Sequence, residues 1–385
     1  MIEPGAWLGL LGGGQLGRMF TMAAQSMGYK VVVLDPGAHS PAGSVADDHI
    51  AAEYLDRTGL EALARRCAAA TTEFENVPAE SLRYLAQHII VSPAADSVAV
   101  AQDRIAEKQF LASAGLEVAP FKVIRSREDL REGLTHLLPG ILKRSRLGYD
   151  GKGQARVGSP ADTEKAFEQL GCEPCVLEQR LDLELELSCI VARGFDGEVV
   201  TWPLAENRHA HGILDVSIVP ARIPRALADA AREAAITVAR RLDYRGVLCV
   251  EFFVLRDGRL LANEIAPRPH NSGHYTIDAC VTSQFEQQAR VLCGLPLGET
   301  ALHCPAVMVN LLGELWAGGE PSWQLVLRHP RVKLHLYGKS EARPGRKMGH
   351  YTVLDDSVDA ALGHAEEIKT MLVAEAQSGR LMKRA

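Results

Sequence analysis

Residues 247–268 read VLCVEFFVLRDGRLLANEIAPR, two apolar runs separated by Arg256-Asp257-Gly258-Arg259. Asp-Gly between such runs is a strong signal for a two-residue hairpin turn, because both positions tolerate the backbone conformations it needs. With Asp257 and Gly258 as its central residues, Glu251 and Glu264 fall directly opposite each other. Their Cβ atoms are then expected about 4.5–5.5 Å apart. Val250, Phe252, Phe253 and Ile265 flank them, so two like charges there destabilise the ribbon unless something positive lies between. Paired carboxylate oxygens suit a magnesium ion carrying nucleotide phosphates. The competing reading is two solvated glutamates on an edge ribbon.

Upstream, the chain opens as strand, glycine turn, helix and strand. Trp7 to Leu11 is apolar, Gly12 to Gly14 turn the chain, and Leu16, Met19, Phe20, Ala23 and Met27 recur at helical spacing. Gly28 sits where a helix C-cap glycine is expected, and Val31 to Leu34 is a β-branched strand. With further segments at 59–67 and 69–72, this predicts half of a doubly wound α/β domain reaching about residue 100. An amphipathic helix (103–114) and an α+β region follow, then a helix (226–242), the hairpin, strands at 307–312 and 332–337, and a closing helix from Val358.

Gly12, Gly14 and Gly17 fit GxGxxG, with Asp35 ending the next strand, which is the dinucleotide fingerprint. A nicotinamide dehydrogenase is therefore one reading. The other is a glycine turn that came with the topology. A second glycine-rich stretch, RSRLGYDGKGQ (144–154), follows Lys143 at the end of an apolar strand. Its exposed N–H groups could fold over phosphates with the lysine as a point charge, or it could be a surface turn. It lacks the GxxxxGK[ST] pattern.

The 385 residues carry a net charge of -6, which argues against a general nucleic-acid binder. No apolar run is long enough to cross a membrane and no signal peptide is visible, so a cytoplasmic protein is expected. The eight cysteines lie in apolar surroundings and read as buried free thiols. Cys172 and Cys175 form a CxxC with no second pair at zinc spacing.

Lys143, GYDGKGQ, LEQRL (177–181), Glu186, Glu251 and Asn263-Glu264 run in the order of the ATP-grasp superfamily. More closely, GGGQLGRM (12–19), TTEFENVP (71–78), APRPHNSGHYT (266–276) and RPGRKMGH (343–350) resemble signatures of the N5-carboxyaminoimidazole ribonucleotide synthase (PurK) family. The resemblance spans essentially the whole chain. It implies an ATP-grasp fold with a Rossmann-like N-terminal domain (1–100), an ATP-grasp domain (101–300, lid at about 118–182) and a small β-rich C-terminal domain (301–385). It also implies a homodimer.

The implied reaction phosphorylates bicarbonate with ATP to carboxyphosphate, whose carboxyl passes to the amine of aminoimidazole ribonucleotide. Carried over by position, Arg104 and Lys143 contact ATP phosphates, and Gly148, Tyr149, Asp150, Gly151, Lys152, Gly153 and Gln154 close over them. Glu178, Gln179, Arg180 and Leu181 run along the adenine. Glu186 holds the ribose hydroxyls, His209 lies near the nucleotide, and Glu251 and Glu264 hold Mg2+ with Asn263 beside them. Lys339, Arg343, Arg346 and Lys347 would take the substrate 5′-phosphate, although by composition alone they are a solvated basic face. Gln15, Leu16, Glu75, Asn271, Ser272 and His274 are implied near the aminoimidazole or bicarbonate, and Arg268 is the candidate for the planar oxyanion. Arg268, Asp150 and Lys347 are the expected catalytic groups.

One departure is Ala266, where many ATP-grasp enzymes place a metal-binding Asn. Histidines 209, 211, 270 and 274 fit substrate contacts better than zinc. A formate-using glycinamide ribonucleotide transformylase is the nearest alternative, and a non-catalytic nucleotide-binding module a further one.

Overall fold

The computed structural model describes residues 1–146, 148 and 153–382. Tyr149, Asp150, Gly151 and Lys152, all expected at the site, lie outside the described residues.

The first sheet is parallel, with strands β1 (Trp7–Leu11), β2 (Lys30–Leu34), β3 (Asp48–Ile50), β4 (Ala69–Thr72) and β5 (Ile90–Val91) in the order β3-β2-β1-β4-β5. β1 and β2 are near-continuous apolar runs because helices cover both faces. The helix Gln15–Ser26 buries Leu16, Met19, Phe20 and Ala24 against Leu8, Leu10, Val31 and Val33. Burying a side chain such as Phe20 contributes about 1.5–3 kcal/mol. Gly28 (φ +86) then reverses the chain into β2.

A smaller antiparallel sheet makes up the segment expected as the lid. Its strands β6 (Phe121–Ile124), β7 (Gly140–Arg144), β8 (Gln154–Val157) and β9 (Cys175–Gln179) lie in the order β6-β9-β7-β8. The helix Pro160–Gln169 covers it, capped by Ser159 accepting from the Asp162 amide and burying Phe167 beside Leu142 and Leu177.

The third sheet has nine strands: β10 (Leu183–Arg193), β11 (Val199–Thr201), β12 (Ala205–Ala210), β13 (Ile213–Val219), β14 (Gly246–Leu255), β15 (Leu260–Ala266), β16 (Ala306–Leu312), β17 (Val332–Leu336) and β18 (Lys347–Leu354). Their order is β15-β14-β10-β12-β13-β16-β18-β17, with β11 against β10. The C-terminal strands therefore extend the central sheet through β13–β16 pairing and make no sheet of their own. Helix Arg225–Arg241 packs Ala231, Ala235 and Val238 on Val191, Leu248 and Val250. The closing helix, Val358–Met382, packs Ala361, Ala365 and Ile368 on Val307, Val309 and Tyr351.

The hairpin differs from expectation at its turn. Leu255 N–H donates to the Arg259 carbonyl and Gly258 N–H to the Leu255 carbonyl, so the loop is the three residues Arg256, Asp257 and Gly258. Gly258 (φ +88) takes the left-handed position that such loops require. Near the turn the register is accordingly one residue off, with Phe252 facing Ala262 and Val254 facing Leu260. A bulge at Asn263 corrects it, and Glu251 pairs with Glu264, Val250 with Ile265. The two-residue turn is wrong, but the bulge cancels its error at the glutamates.

Candidate active site

β14 and β15 bring Glu251 and Glu264 face to face beside the N-terminus of the Arg104–Ser113 helix. Arg104 Nη1 lies 3.5 Å from Glu264 Oε2, and His270 Nε2 lies 3.1 Å from Glu251 Oε1. Burial, reinforced by Glu264, pushes the Glu251 carboxyl up to about 8. Burial and the positive charge of Arg268 drive the His270 imidazole well down, so His270 supplies no fixed charge. The Asn263 side-chain oxygen is buried without a hydrogen-bond partner. Two facing carboxylates and a spare amide oxygen form a hard-oxygen donor set suited to a divalent cation such as Mg2+.

On the smaller sheet, Glu178 of β9 gathers cations. Lys143 Nζ, from neighbouring β7, lies 2.9 Å from Glu178 Oε2, and Lys108 Nζ lies 3.5 Å away. Burial pushes the Glu178 carboxyl up, but Lys143, Lys108 and Arg104 outweigh it and hold it at about 2. Gln179 N–H donates to the Pro120 carbonyl and Arg180 N–H to that of Pro139. Glu178, Gln179, Arg180 and Leu181 thus lead out of the lid and into β10, beside the carboxylate ribbon. Glu186 on β10 meets His209 on β12, with Nδ1 3.2 Å from Oε2. Burial lowers the His209 imidazole, but its bond to Glu186 more than compensates and raises it.

Arg268, just past β15, makes a two-pronged ion pair through Nε and Nη2 with the Glu75 carboxylate. Burial opposes charge on both, yet each holds the other ionised, Glu75 below and Arg268 above its usual range. Lys347 opens β18, five strands from β14 in the sheet, yet its charge acts on Glu251, Glu75 and His270. The segment that follows β15 reaches β18 directly, with the His274 and His350 rings 4.9 Å apart. Lys339 Nζ donates to the Lys347 carbonyl at 2.6 Å. Arg343 and Arg346 turn elsewhere, onto the side chain and carbonyl of exposed Glu341. The basic cluster is split, with Arg343 exposed and Arg346 and Lys347 half-buried.

Other expected residues are engaged within the protein. The Asn271 and Asn310 amides bond reciprocally, at 3.0 and 2.7 Å, and Ser272 joins Ser188 and His270. His274 is wholly buried against His350, Tyr337 and Phe285. Leu16 lies in the N-terminal core and Gln15 begins its helix. Gly148 and Gly153 approach the Arg144 end of the lid, where Arg144 N–H donates to the Gly153 carbonyl.

The glycine turn binds its own anions. Glu73, ending β4, accepts from the Gly14 and Gly17 amides at 2.7 and 2.9 Å, and Asp35 from the Gly13 amide at 2.8 Å. The donors that would cradle a dinucleotide pyrophosphate are thus satisfied internally, which removes the physical basis of the dehydrogenase reading. Asp278, His335 and His350 also lie close enough to suggest a metal. However, the two imidazoles stack 4.5 Å apart and 14° from parallel, so their lone pairs lie in separate planes and do not converge.

Sequence reasoning missed Glu73, Glu107 and Lys108, and it named His270 only as a substrate contact, not as the partner of Glu251. Arg104, Glu107, Lys108 and Leu111 share one helical face, and Leu111 is core, so charges at 107 and 108 could have been flagged as buried.

Comparison with known proteins agrees along most of the chain. Family models match for a ribonucleotide synthetase preATP-grasp domain (residues 6–102), an ATP-grasp domain (109–285) and a phosphoribosylaminoimidazole carboxylase C-terminal domain (306–363). The N5-carboxyaminoimidazole ribonucleotide synthase of Bacillus subtilis is 45% identical over 360 residues, 93% of this chain and 94% of that protein. The one from Brucella melitensis is 48% identical, over 91% of this chain and 97% of its own. A crystal structure of the Aspergillus clavatus synthase with ADP and 5-aminoimidazole ribonucleotide superposes with TM-score 0.87 at 32% identity, covering 95% of this chain and 98% of that one. A purK structure in complex with ADP reaches TM-score 0.91 at 44% identity, covering 96% and 97%. The chain belongs to the N5-carboxyaminoimidazole ribonucleotide synthase family, within the ATP-grasp ligases.

Proposed function

We propose that this ADP-forming ligase uses ATP and bicarbonate to carboxylate the exocyclic amine of 5-aminoimidazole ribonucleotide in purine biosynthesis. The observation that carries the reading is the facing Glu251–Glu264 pair, with Arg104 beside it and the Asn263 oxygen unpartnered. Lys108 joins it to the Lys143–Glu178 pair, bonding the Asn263 carbonyl and meeting the Glu178 carboxylate.

In this reading Arg104 and Lys143 meet the ATP phosphates, Lys143 leaving Glu178 to do so. The hinge, Glu178 to Leu181, runs along the adenine, and Glu186 with His209 holds the ribose. Glu251 and Glu264, with Asn263 beside them, would hold Mg2+, which would neutralise charge on the phosphate oxygens. A bicarbonate oxygen attacks the γ-phosphorus, ADP leaves, and the amine attacks the carboxyl carbon as phosphate departs and the nitrogen loses a proton. The Arg268 fork, kept in plane by Glu75, matches the planar oxyanion. Lys347 lies toward the acceptor, with Lys339, Arg343 and Arg346 for its phosphate. Residues 148–154, Asp150 among them, keep water from a labile acyl phosphate. Catalysis then rests on positioning and charge, without a covalent nucleophile.

The proposal includes a cytoplasmic homodimer and a division at about residues 100 and 300, which the three family-model ranges support. The test is ADP release with ATP, Mg2+, bicarbonate and aminoimidazole ribonucleotide, each omitted in turn. Loss of turnover with every omission is expected. Full turnover on formate without bicarbonate would instead establish the transformylase chemistry.

A further inference from the structure

The three-residue loop imposes a register that, continued along an unbroken ladder, would set Asn263 opposite Glu251 and turn Glu264 to the other face. Only the bulge restores the carboxylate pair. β15 is the edge strand of its sheet, and two consecutive helix residues take up backbone groups on its open side. Glu107 Oε1 accepts from the Ile265 amide at 2.6 Å, and Lys108 Nζ donates to the Asn263 carbonyl at 2.9 Å. The grips fall one residue before and one after Glu264.

Both gripping side chains are buried, Glu107 at 3% and Lys108 at 0% exposure, so neither is reachable by a ligand where it lies. Burying a carboxylate and an ammonium is costly, and apolar residues commonly pack such a position as well or better. Polar groups here have a specific use, because only they can hold the two backbone atoms that flank Glu264 on the open edge. Lys108 also meets Glu178, which connects the gripped strand to the hinge.

We infer that Glu107 and Lys108 are positioning residues that clamp the Asn263 bulge and so hold Glu264 opposite Glu251 for the metal-bound nucleotide. The inference rests on the magnesium–ATP reading, and its test separates the two.

Mn2+ binding in the presence of a non-hydrolysable ATP analogue, followed by electron paramagnetic resonance, reports the pair without turnover. Glu107→Leu removes the acceptor, while Glu107→Gln keeps an oxygen for the Ile265 amide. The Leu variant should weaken Mn2+ binding by about 10- to 100-fold, as lost supports of metal ligands commonly do, and Gln should restore most of it. Amide exchange at Ile265, read by NMR, should accelerate in Leu and stay slow in Gln. A merely stabilising role would lower the melting temperature yet leave Mn2+ affinity of the folded protein unchanged, and that result would overturn the clamp. Exchange at Ile265 as slow in Glu107→Leu as in the parent would overturn it too. Should Glu107→Leu not fold, Lys108→Met carries the same Mn2+ test with Lys108→Arg as its rescue. A parent protein that binds no Mn2+ with nucleotide would sink the magnesium–ATP reading, leaving Ile265 exchange to decide the clamp.

Discussion

Replacing Glu178 by Gln tests how the hinge is held before nucleotide arrives. The carboxylate is nearly inaccessible, 3% exposed, with Lys143 at 2.9 Å and Lys108 at 3.5 Å. It titrates at about 2 against an ordinary 4.5. That depression corresponds to roughly 3 kcal/mol of stabilisation of the charged form at neutral pH. The sign follows from the direction. A lowered carboxyl contributes in full above its unfolded value and loses that contribution as pH falls from about 4.5 toward 2. Gln leaves the amide in place but strands two ammonium groups, one of them wholly buried. Urea unfolding at pH 7 should therefore show Glu178→Gln less stable by about 3 kcal/mol, with the gap to the parent narrowing as the pH is lowered below about 4.5. In a double-mutant cycle, Lys108→Met added to Glu178→Gln should cost less than the sum of the single changes, because the stranded charge has gone. A loss under about 1 kcal/mol at pH 7, the range of an exposed pair, or a gap that does not change with pH, would refute the reasoning.

Glu264→Gln should abolish ADP formation at any attainable Mg2+ concentration while leaving the far-ultraviolet circular dichroism unchanged; retained turnover would remove the metal assignment. Arg346→Ala should mainly raise KM for the ribonucleotide in steady-state kinetics, with KM for ATP held. Glu73→Leu leaves the Gly14 and Gly17 amides without acceptors and should cost about 1–3 kcal/mol in chemical denaturation. Gly258→Ala has open space around its Cβ but keeps a left-handed backbone, so it should cost about 1–2 kcal/mol. The Mg2+ concentration for half-maximal rate should stay put in that variant, since the bulge rather than the turn aligns the glutamates.

Much of this site was legible in the sequence, for reasons that differ by residue. The Glu251–Glu264 pairing came from period-two alternation around a turn, and it survived because loop and bulge each shift register by one in compensating directions. Neither shift leaves a mark in composition, so the geometry of the turn was misread. Glu178 and Lys143 were visible as strand-end residues, but their pairing across β7 and β9 depends on a sheet order that adjacency in the chain does not reveal. Glu107 and Lys108 looked like ordinary charges on an amphipathic helix, since burial of a charge is decided by partners more than a hundred positions away. GxGxxG misled in the other direction, because the anion satisfying it comes from the protein's own β4.

The single nine-stranded sheet has a consequence for folding. β16, β17 and β18 join it through β13, the neighbour of the strand that carries His209. A chain cut before Ala306 would leave β13 as an open edge and strip Val216 and Ile218 of Val307, Val309 and the closing helix. The C-terminal segment, for its part, would lose the strand from which its own strands grow. The two should therefore melt in one transition rather than as separable modules.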